Sequence, residues 1–131
     1  MGDAAEGRGG GRRRRRRLSR SGDFDRVYRE GRSHANRYLV VYSFPRAGDD
    51  EPRLGISVSR KVGGAVARNQ VKRLLRDAFW RCVEEVSDGH DFVIVARPDI
   101  AAVASERGEA GVEEELRSVL AGAGMTGERS Q

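Results

Sequence analysis

Apolar positions along this chain switch between a helical and a strand period, and the switches mark out its elements. Val71, Leu74, Leu75, Ala78 and Cys82 recur at i, i+3, i+4, i+7 and i+11, the spacing of a helix that lays one face on a core. Phe24, Val27 and Tyr28 repeat that spacing over a shorter run. There Ser21 is placed to cap the N-terminus, Asp23 and Asp25 suit its positive end and Gly31 suits C′, which predicts a helix of two to three turns. The run Arg37–Phe44 is β-branched and aromatic and predicts a strand, with Tyr38, Val40, Tyr42 and Phe44 on one face and Leu39, Val41 and Ser43 on the other. After a charged turn over Arg46–Glu51, Leu54, Ile56 and Val58 alternate with Gly55, Ser57 and Ser59, and the two strands are expected to form an antiparallel hairpin. The run Asp91–Ala96 is continuously apolar after its first residue, as in a strand buried on both faces, and the helix before it leaves a parallel pairing open. Asp99–Gly111 is rich in Ala and Gly and ambiguous, whereas Val112, Leu116, Val119 and Leu120 form the stripe of a final helix over Glu113–Leu120. The order α, β, β, α, β, α reads as α+β with a small sheet.

The ends lack any such period. Met1–Gly11 is Gly, Ala and charge, and Arg12–Arg17 is six consecutive arginines. Neither can bury apolar surface, so residues 1–17 are expected to be a disordered Arg-rich extension, residues 18–121 one domain and residues 122–131 a flexible tail. The extension reads either as a solubilising tail or as an RNA-grasping arm.

Charge sharpens the picture through its placement rather than its total. The net charge is +5, but residues 53–81 hold eight cations against one acid, and residues 82–131 hold four against eleven. Only Lys61 and Lys72 among the 25 cations are lysines, a bias that fits planar phosphate recognition and fits a GC-rich genome equally. A single cysteine excludes an internal disulfide, and two histidines with it leave no zinc constellation. No apolar run approaches the ~18 residues of a membrane span and no signal-peptide core is visible, so a cytoplasmic protein without a membrane role is expected.

The central helix then supplies the candidate chemistry. Arg60 and Lys61 precede the glycine pair Gly63-Gly64, and Arg68, Asn69, Lys72, Arg73 and Arg76 follow it. At about 100° per residue, Asn69, Lys72, Arg73 and Arg76 fall opposite the apolar stripe. Asp77 is the only acid between Arg60 and Arg81, so a merely solvated face is the poorer reading. Cations so spaced meet phosphates along a nucleic-acid backbone and release counterions. Trp80 on this side stacks on a base or caps the helix end. Phe24, Tyr28, Val40 and Tyr42 are open to two readings, ordinary core or a groove in which unpaired bases stack. Contiguous acids, Asp49–Glu51 in a loop and Glu113–Glu115 on a helix, splay rather than converge, and His34 and His90 stand apart. The glycine pair lacks the P-loop pattern. No self-sufficient active site and no small-molecule substrate site emerges.

The segment ARNQVKRLLR, Ala67–Arg76, resembles the signature of the bacterial ribonuclease P protein subunit, with Arg68-Asn69, Lys72-Arg73 and Arg76 in its fixed positions. The resemblance continues upstream through LGISVSRKVGGAVARN and RLSRSGDFDRVYREGRSHANRYLVVYSF, and downstream to DFVIVAR. It implies a single-domain αβββαβα sandwich with a small mixed sheet and a left-handed βαβ crossover, like the second domain of ribosomal protein S5. It implies an accessory subunit of an endonuclease that removes the 5′ leader from precursor tRNA, with catalysis carried by an RNA subunit that holds the Mg2+ ions. Arg60, Lys61, Arg68, Asn69, Lys72, Arg73 and Arg76 then correspond to the surface facing the catalytic RNA. Phe24, Tyr28, Val40 and Tyr42 correspond to the cleft for the single-stranded leader, which reverses the core reading that spacing alone favours. Gly64 stands where the family commonly has a capping Asn. The rivals are a general RNA-binding or ribosomal module, a protein-only nuclease using its own carboxylates, and a helix-turn-helix, the last disfavoured because no short partner helix precedes the basic one.

Overall fold

The computed structural model describes residues 16–18, 21–45, 52–83 and 90–122. The expectations for residues 1–15, the charged turn 46–51 and the tail from 123 lie outside them. Among the described residues eight elements follow in order: β1 (Arg16–Arg17), α1 (Ser21–Glu30), β2 (Arg32–Ala35), β3 (Leu39–Pro45), β4 (Arg53–Val58), α2 (Ala65–Val83), β5 (His90–Ala96) and α3 (Ile100–Gly122). Apart from the two-residue β1, this is the αβββαβα order that the resemblance implies. It adds β2, which spacing alone does not reveal.

The strands form one mixed sheet in the order β1-β4-β5-β3-β2. β2 and β3 are an antiparallel pair, from Arg32 opposite Ser43 to Ala35 opposite Val40. Their connection is closed by Asn36, whose Oδ1 accepts from the backbone N–H of Tyr38 (2.9 Å) and of Leu39 (3.0 Å). The expected hairpin of β3 with β4 does not form. β5 lies between them, antiparallel to β3 and parallel to β4, with α2 as the crossover. The reason is burial: Phe92, Val93 and Ile94 are fully buried, and a strand apolar on both faces is satisfied only in the middle of the sheet.

The two faces carry different layers. Leu39, Val41, Leu54, Val58, Phe92 and Ile94 pack against Val71, Leu75, Phe79 and Cys82 of α2 and Val112, Leu116 and Leu120 of α3. Phe79 stands at the centre of this layer, its ring 5.1 Å from those of Phe92 and Trp80. On the other face Val27 of α1 packs with Leu18 and Val93, and Phe24, Tyr42, Phe44 and Val95 are only partly covered. The N–H of Gly31 donates to the Val27 carbonyl (2.9 Å) and ends α1 where Gly31 predicts it.

Two further expectations are corrected. Trp80 is buried, 5% exposed, against Phe79 and at the β1–β4 edge of the sheet, where Leu18 and Leu54 border the same cavity. The stretch before the expected Glu113–Leu120 helix is itself helical from Ile100, with Ile100 and Val103 buried on it, and the two helices join across a kink at Gly108. Gly108, at φ 64° and ψ −154°, breaks the phase between them, a backbone state that glycine adopts without steric cost.

A salt-bridge network ties α1 to the sheet. Arg53 Nε and Nη2 donate to the two oxygens of Asp91, both at 2.8 Å, and the carboxylate is fully buried. Arg53 and Asp91 are register partners on the parallel strands β4 and β5. Asp23 of α1 lies 3.5 Å from Arg53 Nη1 and 2.7 Å from Arg26 Nη2. The start of α1 is thereby fixed over the start of β4.

Candidate nucleic-acid interface

α2 takes its start from a tight turn. Val62 N–H donates to the Ser59 carbonyl (3.0 Å) and Gly63 N–H to that of Arg60 (3.2 Å), which leaves the Arg60 and Lys61 side chains exposed. The Gly64 carbonyl accepts from Arg68 N–H at 2.9 Å, so Gly64 occupies the capping position. Arg68 is half-buried, and its Nε donates to the Gly63 carbonyl at 3.1 Å. Asn69, Arg73 and Arg76 are exposed and Lys72 is half-buried. Lys72, Arg73 and Arg76 form no ion pair among the described residues, so their charge faces solvent uncompensated.

Arg81, the last cation of the helix, is engaged elsewhere. Its Nε donates to Glu113 (2.8 Å) and its Nη1 lies 3.2 Å from Glu109, contacts that raise the guanidinium pKa. Arg117 also donates to Glu113, at 2.8 Å. Arg117 first, then Arg81, hold that carboxyl below the ordinary carboxylate range against the opposing effect of burial. The cationic stretch thus ends at Arg76, and Arg81 serves the α2–α3 contact.

The four aromatic and apolar candidates lie together on the α1 face of the sheet. Phe24 and Tyr28, one helical turn apart, have ring centroids 6.3 Å from each other, and Tyr28 meets Tyr42 edge-on at 4.9 Å. Tyr28 is 39% exposed, and the other two rings are half-buried. Burial raises the Tyr28 phenol pKa, and a hydrogen bond with the Ser57 side chain partly offsets it. Val40 shares the face of β3 with Tyr42 and is half-buried, opposite Val95. The strip is therefore partly open surface rather than closed core.

Phe24 rests on the backbone of β4. A Cβ on Gly55 would overlap its ring, so only glycine lets the ring lie this close. Beyond Leu54, β4 has no further partner on its β1 side among the described residues. A cavity of about 340 Å³ opens there. Phe24, Gly55 and Ile56 line it together with Arg17 and Leu18 of the N-terminal strand and Lys72 and Arg76 of α2. Trp80 contributes wall and Asp77 one acid at the same opening. The aromatic and cationic candidates, which the sequence places on separate surfaces, are here contiguous. Arg60 and Lys61 remain apart in the turn before α2, and Asn69 and Arg73 on its exposed side.

Sequence reasoning missed Arg17, Leu18 and Gly55 as lining residues. Gly55 carried a signal, since a glycine inside a strand marks a close approach of another group. Arg17 carried none within a run of six identical residues.

Known proteins bear on this arrangement. The sequence profile of the family described as Ribonuclease P matches residues 13–123. The ribonuclease P protein component of Halalkalibacterium halodurans is 46% identical over 91 residues, 70% of this chain and 76% of that protein. That of Geobacillus thermodenitrificans is 44% identical over 108 residues, 82% and 86% of the two chains. The solved RNase P protein of Staphylococcus aureus superposes with a TM-score of 0.77 at 34% identity, covering 86% of this chain and 99% of that one.

Proposed function

The chain belongs to the ribonuclease P protein component family and has its role in ribonuclease P, and we propose that it acts there as the RNA-bound subunit that grips the 5′ leader of precursor tRNA. The observation that carries this reading is the shared cavity, where the Phe24 ring and the Lys72 and Arg76 cations border one opening. A single-stranded nucleotide presents a stackable base and a phosphate, and this opening offers a partner for each. Tyr28, Val40 and Tyr42 continue the aromatic and apolar strip along which further unpaired bases lie. Arg60, Lys61, Asn69 and Arg73, with Arg68 above the helix start, face the catalytic RNA.

The protein's contribution is binding and orientation. Among the described residues no group of three or more His, Cys, Asp or Glu converges as a metal-ligand set. We assign the Mg2+ ions, and the water they activate, to the RNA subunit. Cations fixed on α2 neutralise RNA phosphates that magnesium would otherwise have to screen, so the subunit lowers the magnesium requirement. Among the described residues no helix is long and apolar enough to cross a membrane, and we place the holoenzyme in the cytoplasm.

The test is reconstitution with a bacterial ribonuclease P RNA at low magnesium. The protein tightens binding of precursor tRNA far more than of mature tRNA. Phe24→Ala removes that preference, a loss of about 1–3 kcal/mol. Arg73→Ala, whose side chain is exposed and makes no hydrogen bond or ion pair among the described residues, weakens assembly with the RNA instead. Equal effects of the protein on precursor and mature tRNA would refute the leader assignment.

A further inference from the structure

The N-terminal arginines do more than add charge, because the sheet captures the last two. Arg16 pairs with Arg53 and Arg17 with Leu54 in parallel register. Leu18 N–H then donates to the Leu54 carbonyl (2.8 Å), and its side chain, 2% exposed, is buried with Val27 and Val93. Leu18 is thus an anchor that fixes the position of its neighbour. The strand ends at the point where the edge of β4 becomes free, so the Arg17 side chain stands at the cavity that Phe24, Lys72 and Arg76 line. Arg17 is exposed and has no ion-pair partner among the described residues. Lys72 and Arg76 approach the cavity from a helix, whereas Arg17 approaches it from a strand.

We propose that Arg17 is a phosphate-binding residue of the leader cleft, delivered there by strand addition to β4. The inference rests on the leader reading of the cavity and assigns a role to one residue of the arginine run. A phosphate entering the cavity is met by cations from two elements, which fixes the strand's path across Phe24 rather than only attracting it. The planar Arg17 guanidinium suits two phosphate oxygens at once.

The experiment measures precursor and mature tRNA binding to the reconstituted holoenzyme against salt, for the unaltered protein and for Arg17→Ala, Arg17→Lys and Phe24→Ala. One single-strand phosphate contact contributes about 0.7 to the slope of log affinity against log salt. Over a fourfold rise in salt, precursor affinity of the unaltered protein should therefore fall roughly 2.5 times further than that of Arg17→Ala. Arg17→Lys retains the slope, mature tRNA binding is unchanged and the melting temperature of all three variants confirms folding. An Arg17→Ala protein with an unchanged slope, or with equal losses on both tRNAs, overturns the inference. If Phe24→Ala abolishes the precursor preference in that same experiment, the leader reading survives and only Arg17's role falls. If Phe24→Ala has no effect, the leader reading fails and the inference with it.

Discussion

Gly55→Ala puts a methyl group where the Phe24 ring now lies. The added Cβ overlaps Cζ and sits 2.7 Å from Cε1 and 3.2 Å from Cε2. Carbon atoms in contact are about 3.5–4.0 Å apart, so the ring has to withdraw by roughly 1 Å or more. Gly55 is buried and its backbone is held on β4 opposite Val93 of β5, while Phe24 is half-buried and can swing outward. The stability cost therefore falls at the low end of overpacking, about 1 kcal/mol, or roughly 4–8 °C in melting temperature. The functional cost is larger. A displaced ring no longer borders the cavity, and the stacking of one base, about 1–3 kcal/mol, is lost. Precursor tRNA binding by the holoenzyme should weaken about 5- to 150-fold while mature tRNA binding holds. Adding Phe24→Leu to Gly55→Ala relieves the overlap and restores the melting temperature, but supplies no aromatic face and leaves precursor binding weak. A folded Gly55→Ala protein with undiminished precursor preference would refute the account of Phe24 as a platform held by the strand backbone.

Two predictions concern the scaffold. Asp91→Ala leaves the mostly buried Arg53 without its bidentate partner and should cost about 3–5 kcal/mol in denaturant unfolding, and a loss below about 1 kcal/mol would contradict the clamp between β4 and β5. Glu113 has a depressed folded-state pKa, so its pairing stabilises the fold above the unfolded value of about 4.3 and fades as pH falls through the lower folded one. Both arginines are about 40% exposed, which limits this contribution to less than about 1 kcal/mol. The stability difference between the unaltered protein and Glu113→Gln should be largest near neutral pH and shrink as pH falls through the depressed folded-state value; a difference that grows on acidification would refute the pairing.

The helical stripe on α2, the two faces of β3 and the end of α1 at Gly31 were legible because each follows from a local period. Where reading failed, the deciding contact lay far along the chain. Neighbouring strands across a short turn normally pair, yet the double-sided burial of Phe92, Val93 and Ile94 demanded a central place for β5. The run itself announced this, and the hairpin expectation ignored it. Trp80 was misplaced because one stripe per helix leaves the opposite side to solvent, whereas here the N-terminal strand brings Leu18 to the edge of β4 beside it. The early turns of α3 were obscured by Gly108 and Gly111, since glycine lowers helix propensity although Ile100 and Val103 are buried there. Of the site, the residue types were legible and their union was not. That Phe24 and Lys72 line one cavity depends on both helices reaching round the edge of β4.

The central position of β5 also sets an order of events during synthesis. β3 and β4 leave the ribosome with no partner for the edges they turn toward each other, and neither gains one until His90–Ala96 follows. The arginine run emerges before them, and the cations of α2 after them but before β5. Until then the cavity that Phe24 and Lys72 line cannot form, so on the proposed reading discrimination between RNAs begins only when the last strand slides between the two that preceded it.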